Sequence, residues 1–316
     1  MSNSKSGSGA EKLSHDAARL ATFDQYRGLL FSVAYRMLGT VADAEDMLQE
    51  TFLRWLQAAD EEQIRSPRAF LVTIISRLCI NQLQSAHSQR EEYAGEWLPE
   101  PLMTNQGSDP LGLIRVDETL SMAFLVLLER LTPIERAVFL LREVFEYEYP
   151  EISAILGPSE VNCRQILSRA RQHIGSLRPR FEASREKQRE LLEKFLEAAR
   201  TANMEQLLSI LSEDVVLYGD GGGKGFAPPE PVRGASQVAR GAEVLRKLIA
   251  HGLVPHITEI NGQPGIVTYL NGKPHSAITT RVQNDRIQAF FLVTNPEKLV
   301  HLPPLLESNE LASKQS

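Results

Sequence analysis

The residues best placed to do chemistry lie between Tyr149 and His173, in YPEISAILGPSEVNCRQILSRARQH. The spacing predicts a short helix over Pro150 to Leu156, a corner at Gly157-Pro158, and a second helix capped by Ser159. Glycine at the corner permits the positive φ that a tight helix–helix turn needs. In the second helix Cys163, Leu167, Ala170 and Ile174 recur at steps of four, three and four, so they share one inward face. Arg164, Gln165, Ser168 and Arg171 then face outward, with Arg169 beside them. Guanidinium, amide and hydroxyl groups on one helix face suit hydrogen bonds to base edges and charge pairing with phosphates. The plainer alternative is a helical hairpin with a solvated arginine face. On the packed side Cys163 reads as a small buried hydrophobe and not as a redox switch.

Other reactive residue types form no comparable pattern. The histidines (His15, His87, His173, His251, His256, His275, His301) lack metal-ligand spacing. Cys79 and Cys163 are too few for a disulfide framework or a four-ligand zinc site. DGGGK, Asp220 to Lys224, fails as a phosphate loop: the spacing is one residue short, Gly225 follows Lys224, and no helix follows directly. Its glycines Gly221, Gly222 and Gly223 instead leave backbone bare for close approach of another segment. Tyr218, Asp220, His256 and His275 lie on or beside strand-like segments that would line a pocket, but no paired carboxylates accompany them. The expectation is no catalytic residue, no metal and no cofactor.

The chain around these residues is ordinary in bulk and uneven in charge. It has 316 residues, 42% hydrophobic and 23% charged, which excludes collagen-like, coiled-coil and wholly disordered classes and allows two domains or three small ones. The apolar run Met122 to Leu128 falls far short of the ~20 residues of a membrane span. MSNSKSGSGAEK lacks the apolar stretch of a signal peptide. Together these predict a soluble, cytoplasmic protein with no membrane partner. Net charge is −6, which by itself argues against nucleic acid. Yet Glu91 to Leu120 holds seven acids against Arg115, whereas Ser159 to Arg180 holds five arginines against Glu160. That asymmetry is expected of a DNA-binding module tied to an acidic linker.

Residues 1–19 read as a disordered leader. From 20 to 92 the pattern is helical, with a glycine stop at Gly39, acids crowding the start of a second helix near Asp43, and Ser66-Pro67 opening a third. Residues 93–115, with WLPEPLMTNQGSDPLG, form a proline-rich linker. Helix returns over 116–180. Residues 186–302 change texture: two helices (REKQRELLEKFLEAAR and MEQLLSILS) precede strands at Val215 to Tyr218, His256 to Ile260, Gly265 to Leu270, His275 to Val282 and Arg286 to Val293. Asn261-Gly262 and Asn271-Gly272 are hairpin signals. Residues 303–316 read as a flexible tail.

Three blocks in order, DAEDMLQETFLRW (Asp43 to Trp55), PRAFLVTIISRLCINQL, and LERLTPIERAVFLLREVFEYEYPEIS, resemble the two domains of an extracytoplasmic-function sigma factor, over about Phe23 to Leu177. WLPEP (Trp97, Leu98, Pro99, Glu100, Pro101) resembles the linker signature of the subgroup with a fused SnoaL-like domain. DGGGK and NPEKL (Asn295, Pro296, Glu297, Lys298, Leu299) resemble that subgroup's C-terminal motifs, with Glu297 where Asp is usual. The resemblance implies two all-α sigma domains, the second a helix-turn-helix, followed by an α+β cone with a curved mixed sheet.

It also implies roles. Asp43, Asp46, Glu50 and Arg54 would meet core RNA polymerase. Arg77, Asn81, Gln84 and His87 would meet the minus-ten promoter strand, and Arg164, Gln165, Ser168, Arg169 and Arg171 the minus-35 element. Relatives carry arginine and aspartate where this chain reads NQLQSAH, so fewer phosphate contacts are expected in the minus-ten helix. Trp97 to Pro101, Asp220 to Lys224 and Asn295 to Leu299 would form one regulatory interface, with Lys224 meeting Glu100. Core polymerase and promoter DNA are the implied partners, and an unidentified small molecule in the SnoaL-like domain is a further candidate. The alternative is a SnoaL-like enzyme or small-ligand sensor fused to a DNA-binding helical module.

Overall fold

The computed structural model describes residues 6–58, 64–91, 93, 95–104, 120–175 and 183–305, with 6–16 and 86–91 described by backbone alone. The chain divides into two compact units, one of residues 1–87, 108–115 and 128–175, the other of 88–107, 116–127 and 176–316. Its helices are α1 (Ser6–Leu38), α2 (Val41–Gln57), α3 (Pro67–Glu91), α4 (Met122–Leu128), α5 (Pro133–Glu143), α6 (Tyr149–Leu156), α7 (Glu160–Ile174), α8 (Arg185–Thr201), α9 (Met204–Ile210) and α10 (Ala235–Ala250). The strands are β1 (Leu211–Asp220), β2 (Val232–Arg233), β3 (Leu253–Ile260), β4 (Gln263–Leu270), β5 (Lys273–Gln283) and β6 (Arg286–Val293). Among the described residues no helix is long and apolar enough to cross a membrane.

The helical unit is held by apolar stripes and by arginines that seal helix ends. Thr40 caps α2, and Trp55 near its other end is fully buried. The reading of 1–19 as disordered is corrected over residues 6–19; residues 1–5 lie outside the described residues. α1 begins at Ser6, and the buried Arg19 donates to the carbonyls of Trp55, Leu56 and Ala58 at 3.0, 2.6 and 2.7 Å. Carbonyls at a helix end lack the ordinary intrahelical partners, although Trp55 O also accepts from Ala58 N–H at 3.3 Å; the Trp55 indole returns a hydrogen bond to Arg19 O at 3.0 Å. The polar leader carries too little apolar periodicity for that helix to be read from sequence.

α5 opens with a capping box, Thr132 and Glu135 bonding reciprocally with Pro133 at the first position. Its Arg136, buried, donates to Met37 O at 2.6 Å and pairs with Glu129 at 2.8 Å. Arg36 lies over Phe145, and Arg68 over Tyr147. These contacts pack α1 to α3 and α5 to α7 into one body. α7 ends at Ile174, short of the expected Arg180; residues 176–182 lie outside the described residues.

In the second unit the strands form one sheet in the order β2-β1-β6-β5-β4-β3, parallel at β1–β6 and antiparallel elsewhere. Asn261-Gly262 and Asn271-Gly272 make the expected hairpins, all four residues at positive φ. A third turn, Asn284-Asp285, does the same with no glycine. Successive residues of β4, β5 and β6 alternate between two cores. Ile266, Ile278 and Phe290 pack with Leu192 and Phe195 of α8 and Val238 of α10. Val267, Ala277 and Phe291 pack on the opposite face with Leu98 of the linker and Met122 and Ala123 of α4. Seven of the eight residues of β4 are therefore buried, whereas an antiparallel strand ordinarily leaves one side wet. Helix α10 follows a proline-rich stretch and buries only Val238, Ala239 and Ala242, a stripe too weak to be read in advance. The tail expected from residue 303 is still attached at its start, where Leu305 N–H donates to Gly272 O at 3.0 Å; residues 306–316 lie outside the described residues.

Candidate functional site

The α6–α7 pair has the corner the sequence calls for. Gly157 closes α6 at φ 103°, and Ser159 Oγ accepts from Asn162 N–H at the start of α7. Cys163, Ile166, Leu167, Ala170 and Ile174 are buried, and burial pushes the Cys163 thiol up, which keeps it protonated and unreactive. Arg164, Gln165, Ser168, Arg169 and Arg171 are all exposed. Arg164 stacks over Tyr149 at 4.4 Å and lies 3.7 Å from Glu160. Arg171 pairs with Glu143 at 2.5 Å, and Arg169 reaches to 3.9 Å from Glu135. Glu135 is buried, which would raise its carboxyl, but hydrogen bonds from the Thr132 N–H and hydroxyl and from His173 hold it below the usual range. The outer face of α7 is thus cationic and anchored from beneath by acids on α5.

On α2, Asp46, Glu50 and Arg54 follow one another along the surface, with Glu50 and Arg54 bonded at 2.9 Å. Leu53 beside them is an apolar side chain left 51% exposed, which charge patterning alone does not pick out. Asp43 is half-buried. It turns inward, accepting from Thr40 Oγ1 at 2.5 Å and from Gln82 Nε2 at 3.4 Å. On α3, Asn81 and Gln84 are exposed. Arg77 Nε donates to Ile155 O at 2.9 Å, at the carbonyl end of α6. The His87 side chain lies outside the described residues.

The three C-terminal and linker motifs converge on one buried carboxylate. Asp220, with 0% exposure at the end of β1, accepts from Leu98 N–H at 2.9 Å, Tyr93 Oη–H at 2.5 Å and Lys298 Nζ at 2.7 Å. Lys298 also donates to Leu98 O at 2.5 Å and lies over the Trp97 ring at 4.1 Å and the Tyr93 ring at 5.1 Å. A lysine out of water is tolerable here because its charge is paired and its face is aromatic. Asn295 Nδ2 donates to Tyr93 Oη at 2.9 Å. Burial first, then the Asp220 carboxylate, push the Tyr93 phenol up. Leu98, Pro99, Glu100 and Pro101 are buried.

Gly222, at φ +57°, brings the DGGGK turn onto Asn295 and Tyr93, which a Cβ would strike. Further along, Leu102 exchanges hydrogen bonds with Asn261 (3.0 Å to Oδ1, 2.7 Å from its N–H), and Met103 bridges Ile260 on β3. The expected meeting of Lys224 with Glu100 is corrected. Lys224 pairs with Glu297 at 2.5 Å near the surface, while the buried Glu100 pairs with His301 at 2.6 Å. Pro296 to Lys298 is a single helical turn that points Glu297 outward and Lys298 inward. Tyr93, Leu102, Asn261 and His301 belong to this clasp but stand outside the motifs. Asn261 was legible only as a turn residue.

Residues 22–89 match Sigma-70 region 2, and residues 121–174 match Sigma-70, region 4. A region 2 followed by a helix-turn-helix region 4 defines a sigma factor, the subunit that gives RNA polymerase its promoter. The chain is 34% identical over 297 residues to the ECF RNA polymerase sigma factor SigJ of Mycobacterium tuberculosis, covering 90% of this chain and 94% of the relative. It is 30% identical to the probable ECF RNA polymerase sigma factor SigI of the same organism, over 88% and 94% of the two chains. The crystal structure of M. tuberculosis SigJ superposes with a TM-score of 0.73 at 33% identity, covering 91% of this chain and all of that one. The protein belongs to the ECF RNA polymerase sigma factors and directs promoter-specific transcription initiation.

Proposed function

We propose that the C-terminal domain controls this sigma factor by clasping the linker between its two sigma regions, and that it does so by binding and not by catalysis. The observation that carries the reading is the sheet with two apolar faces, one of which is covered by Leu98 of the linker and the first residues of α4. A face of that kind cannot be left wet without loss of hydrophobic stabilisation, so the linker is part of the domain's structure. Asp220, the carboxylate placed nearest to a catalytic position by the sequence, is consumed by the clasp.

In the same reading Arg164, Gln165, Ser168, Arg169 and Arg171 meet the minus-35 element. Asn81, Gln84 and His87 meet the minus-ten strand, and Asp46, Glu50, Leu53 and Arg54 meet core polymerase. Arg77 serves as a tie to α6 in the closed molecule, and Asp43 braces Thr40, the cap of α2.

Distance gives the closed state its meaning. Two promoter elements about 25 base pairs apart are separated by ~85 Å of duplex at 3.4 Å per base pair. A compact body of about 140 residues has a radius of gyration of roughly 15 Å, so α3 and α7 cannot reach both elements while packed together. The contacts of Arg77 with Ile155 and of Arg136 with Met37 must break for promoter engagement.

The test is run-off transcription with purified core polymerase on a promoter found by mapping start sites after overexpression. Lys298→Ala should give more transcript than the parent chain at equal occupancy of polymerase. An unchanged or lower yield from a folded variant would overturn the regulatory reading.

A further inference from the structure

On the sheet face opposite the linker, between α10 and strands β5 and β6, the C-terminal domain encloses a cavity of about 600 Å³. None of its lining residues is Asp, Glu, Lys or Arg. Four lining side chains are hydrogen-bonding: Gln237, His275, Ser276 and Thr294. Ser276 Oγ is engaged with Thr268 Oγ1 at 2.7 Å, and Thr294 Oγ1 donates to Asp220 O at 3.3 Å. His275 lines the cavity, and its imidazole is the one lining side chain that can either donate to or accept from a guest through a ring nitrogen. The rim carries exposed apolar side chains, with Phe226 at 80%, Val244 at 43% and Leu248 at 38%. Size and lining are those of a site for a drug-sized organic molecule, and the absence of any countercharge in the lining disfavours an ion.

We infer that this cavity binds a small, uncharged, largely apolar molecule with one polar group directed at His275, and that occupancy is felt by the linker clasp. The second part rests on the regulatory reading above. Its physical route is short. Ala227 and Pro228 line the cavity, and a Cβ on Gly219 would strike both, so the cavity wall is packed directly on the end of β1. A Cβ on Gly225 would strike Thr294, so the DGGGK turn is pressed onto the same strand end. Thr294 thus lines the cavity and holds the Asp220 carbonyl, while the Asp220 carboxylate holds Leu98. A guest that shifts Pro228 or Thr294 shifts the groups that receive the linker.

The probe is N-phenyl-1-naphthylamine, neutral, apolar and fluorescent in dry surroundings, titrated into the full chain. Saturable one-site enhancement is expected. Gly241 lines the cavity, and no atom lies within 4 Å of where its Cβ would stand, so Gly241→Phe places a ring in open space. That variant should lose at least tenfold in probe affinity with unchanged circular dichroism, and Gly241→Leu, a smaller plug that covers the case of misfolding, should lose less. Amide hydrogen exchange at Leu98 should change severalfold at saturating probe in the parent chain and not in the plugged variants. No saturable signal, or equal affinity in the parent and both folded variants, would overturn the site. Probe binding with Leu98 exchange unmoved would overturn the coupling. The clasp reading is judged separately, by Lys298→Ala transcription without probe.

Discussion

Tyr93→Phe removes one oxygen from the centre of the clasp and leaves the ring in place. That oxygen donates to Asp220 Oδ1 at 2.5 Å and accepts from Asn295 Nδ2 at 2.9 Å. The phenol, raised above its ordinary value by burial and by the Asp220 carboxylate, keeps its proton throughout the neutral range and so remains a donor. A hydrogen bond to a charged group contributes about 1.5–3 kcal/mol, and leaving the buried partner unsatisfied costs a similar amount. At 1.4 kcal/mol per tenfold, the ratio of docked to undocked linker should fall roughly 10- to 150-fold. Leu98 N–H, whose acceptor is Asp220, exchanges with solvent only when the linker lifts. Its protection measured by hydrogen exchange should therefore drop by that factor, while protection in β4 and β5 stays near its parent value. In an Asp220→Asn background the same substitution should cost less, because the charge it served is gone. Unchanged Leu98 exchange, or strict additivity with Asp220→Asn, would refute the claim that the phenol holds the linker through this carboxylate.

Four further outcomes are expected. Arg164→Ala should cost ~1–3 kcal/mol at one or two base pairs of the minus-35 element, whereas Arg171→Ala should weaken binding evenly and flatten its salt dependence; equal losses on specific and random duplex for Arg164→Ala would remove it from base reading. Charge reversal at Asp46 and Glu50 together should abolish co-purification with core polymerase while shifting unfolding by only about 0.5 kcal/mol per site; undiminished binding by the folded double variant would exclude this face. Arg77→Ala, which cuts a tie worth about 1 kcal/mol, should raise transcript yield by up to roughly fivefold, and a fall would instead place Arg77 on the minus-ten strand. Glu135, held below the ordinary 4.5, contributes stability that is fully present above that value and is lost as pH falls through its folded value. The stability gap between the parent and Glu135→Gln in urea should be level near neutrality and narrow below pH 4.5; a gap that widens on acidification would contradict the sign.

What was legible in the chain is what local chemistry writes into it. The stripe of Cys163, Leu167, Ala170 and Ile174 is buried as its period requires, Gly157 takes the positive φ its place in the corner demands, and two Asn-Gly pairs turn two hairpins. The leader helix escaped because Arg19 earns its burial from carbonyls more than thirty positions away. The clasp was visible as three motifs and invisible as a geometry. Asp220 meets Leu98 across 122 positions, and Asn295 meets Tyr93 across 202, separations that no periodicity records. Glu297 and Lys298 are adjacent in sequence, and only the turn at Pro296 decides that the lysine enters and the glutamate stays out. With Glu297 outside, Lys224 finds it first, which is why the expected pairing with Glu100 does not occur.

The closed molecule also constrains what can open it. A partner shifts an equilibrium only by its differential affinity for the two states, and moving a population from 1:99 to 99:1 takes about 5.5 kcal/mol of such difference. On the proposed reading the polymerase meets the α2 face from Asp46 to Arg54, which is already exposed in the packed helical body, so contact there would recruit the enzyme and contribute little to opening. The promoter is different. If α3 and α7 read its two elements as proposed, both cannot be met until these helices part, so every contact made to the second element would count wholly toward the open state. On that reading core polymerase bound through α2 would act by concentrating the closed protein at DNA, and DNA would do the opening. In the proposed regulation the clasp on the linker would set how much of that opening free energy must be supplied, since the linker would have to follow α7 or release Leu98 for the span to be reached. On this argument Tyr93→Phe should lower the promoter concentration needed for half-maximal transcription more than it changes the affinity for free core polymerase.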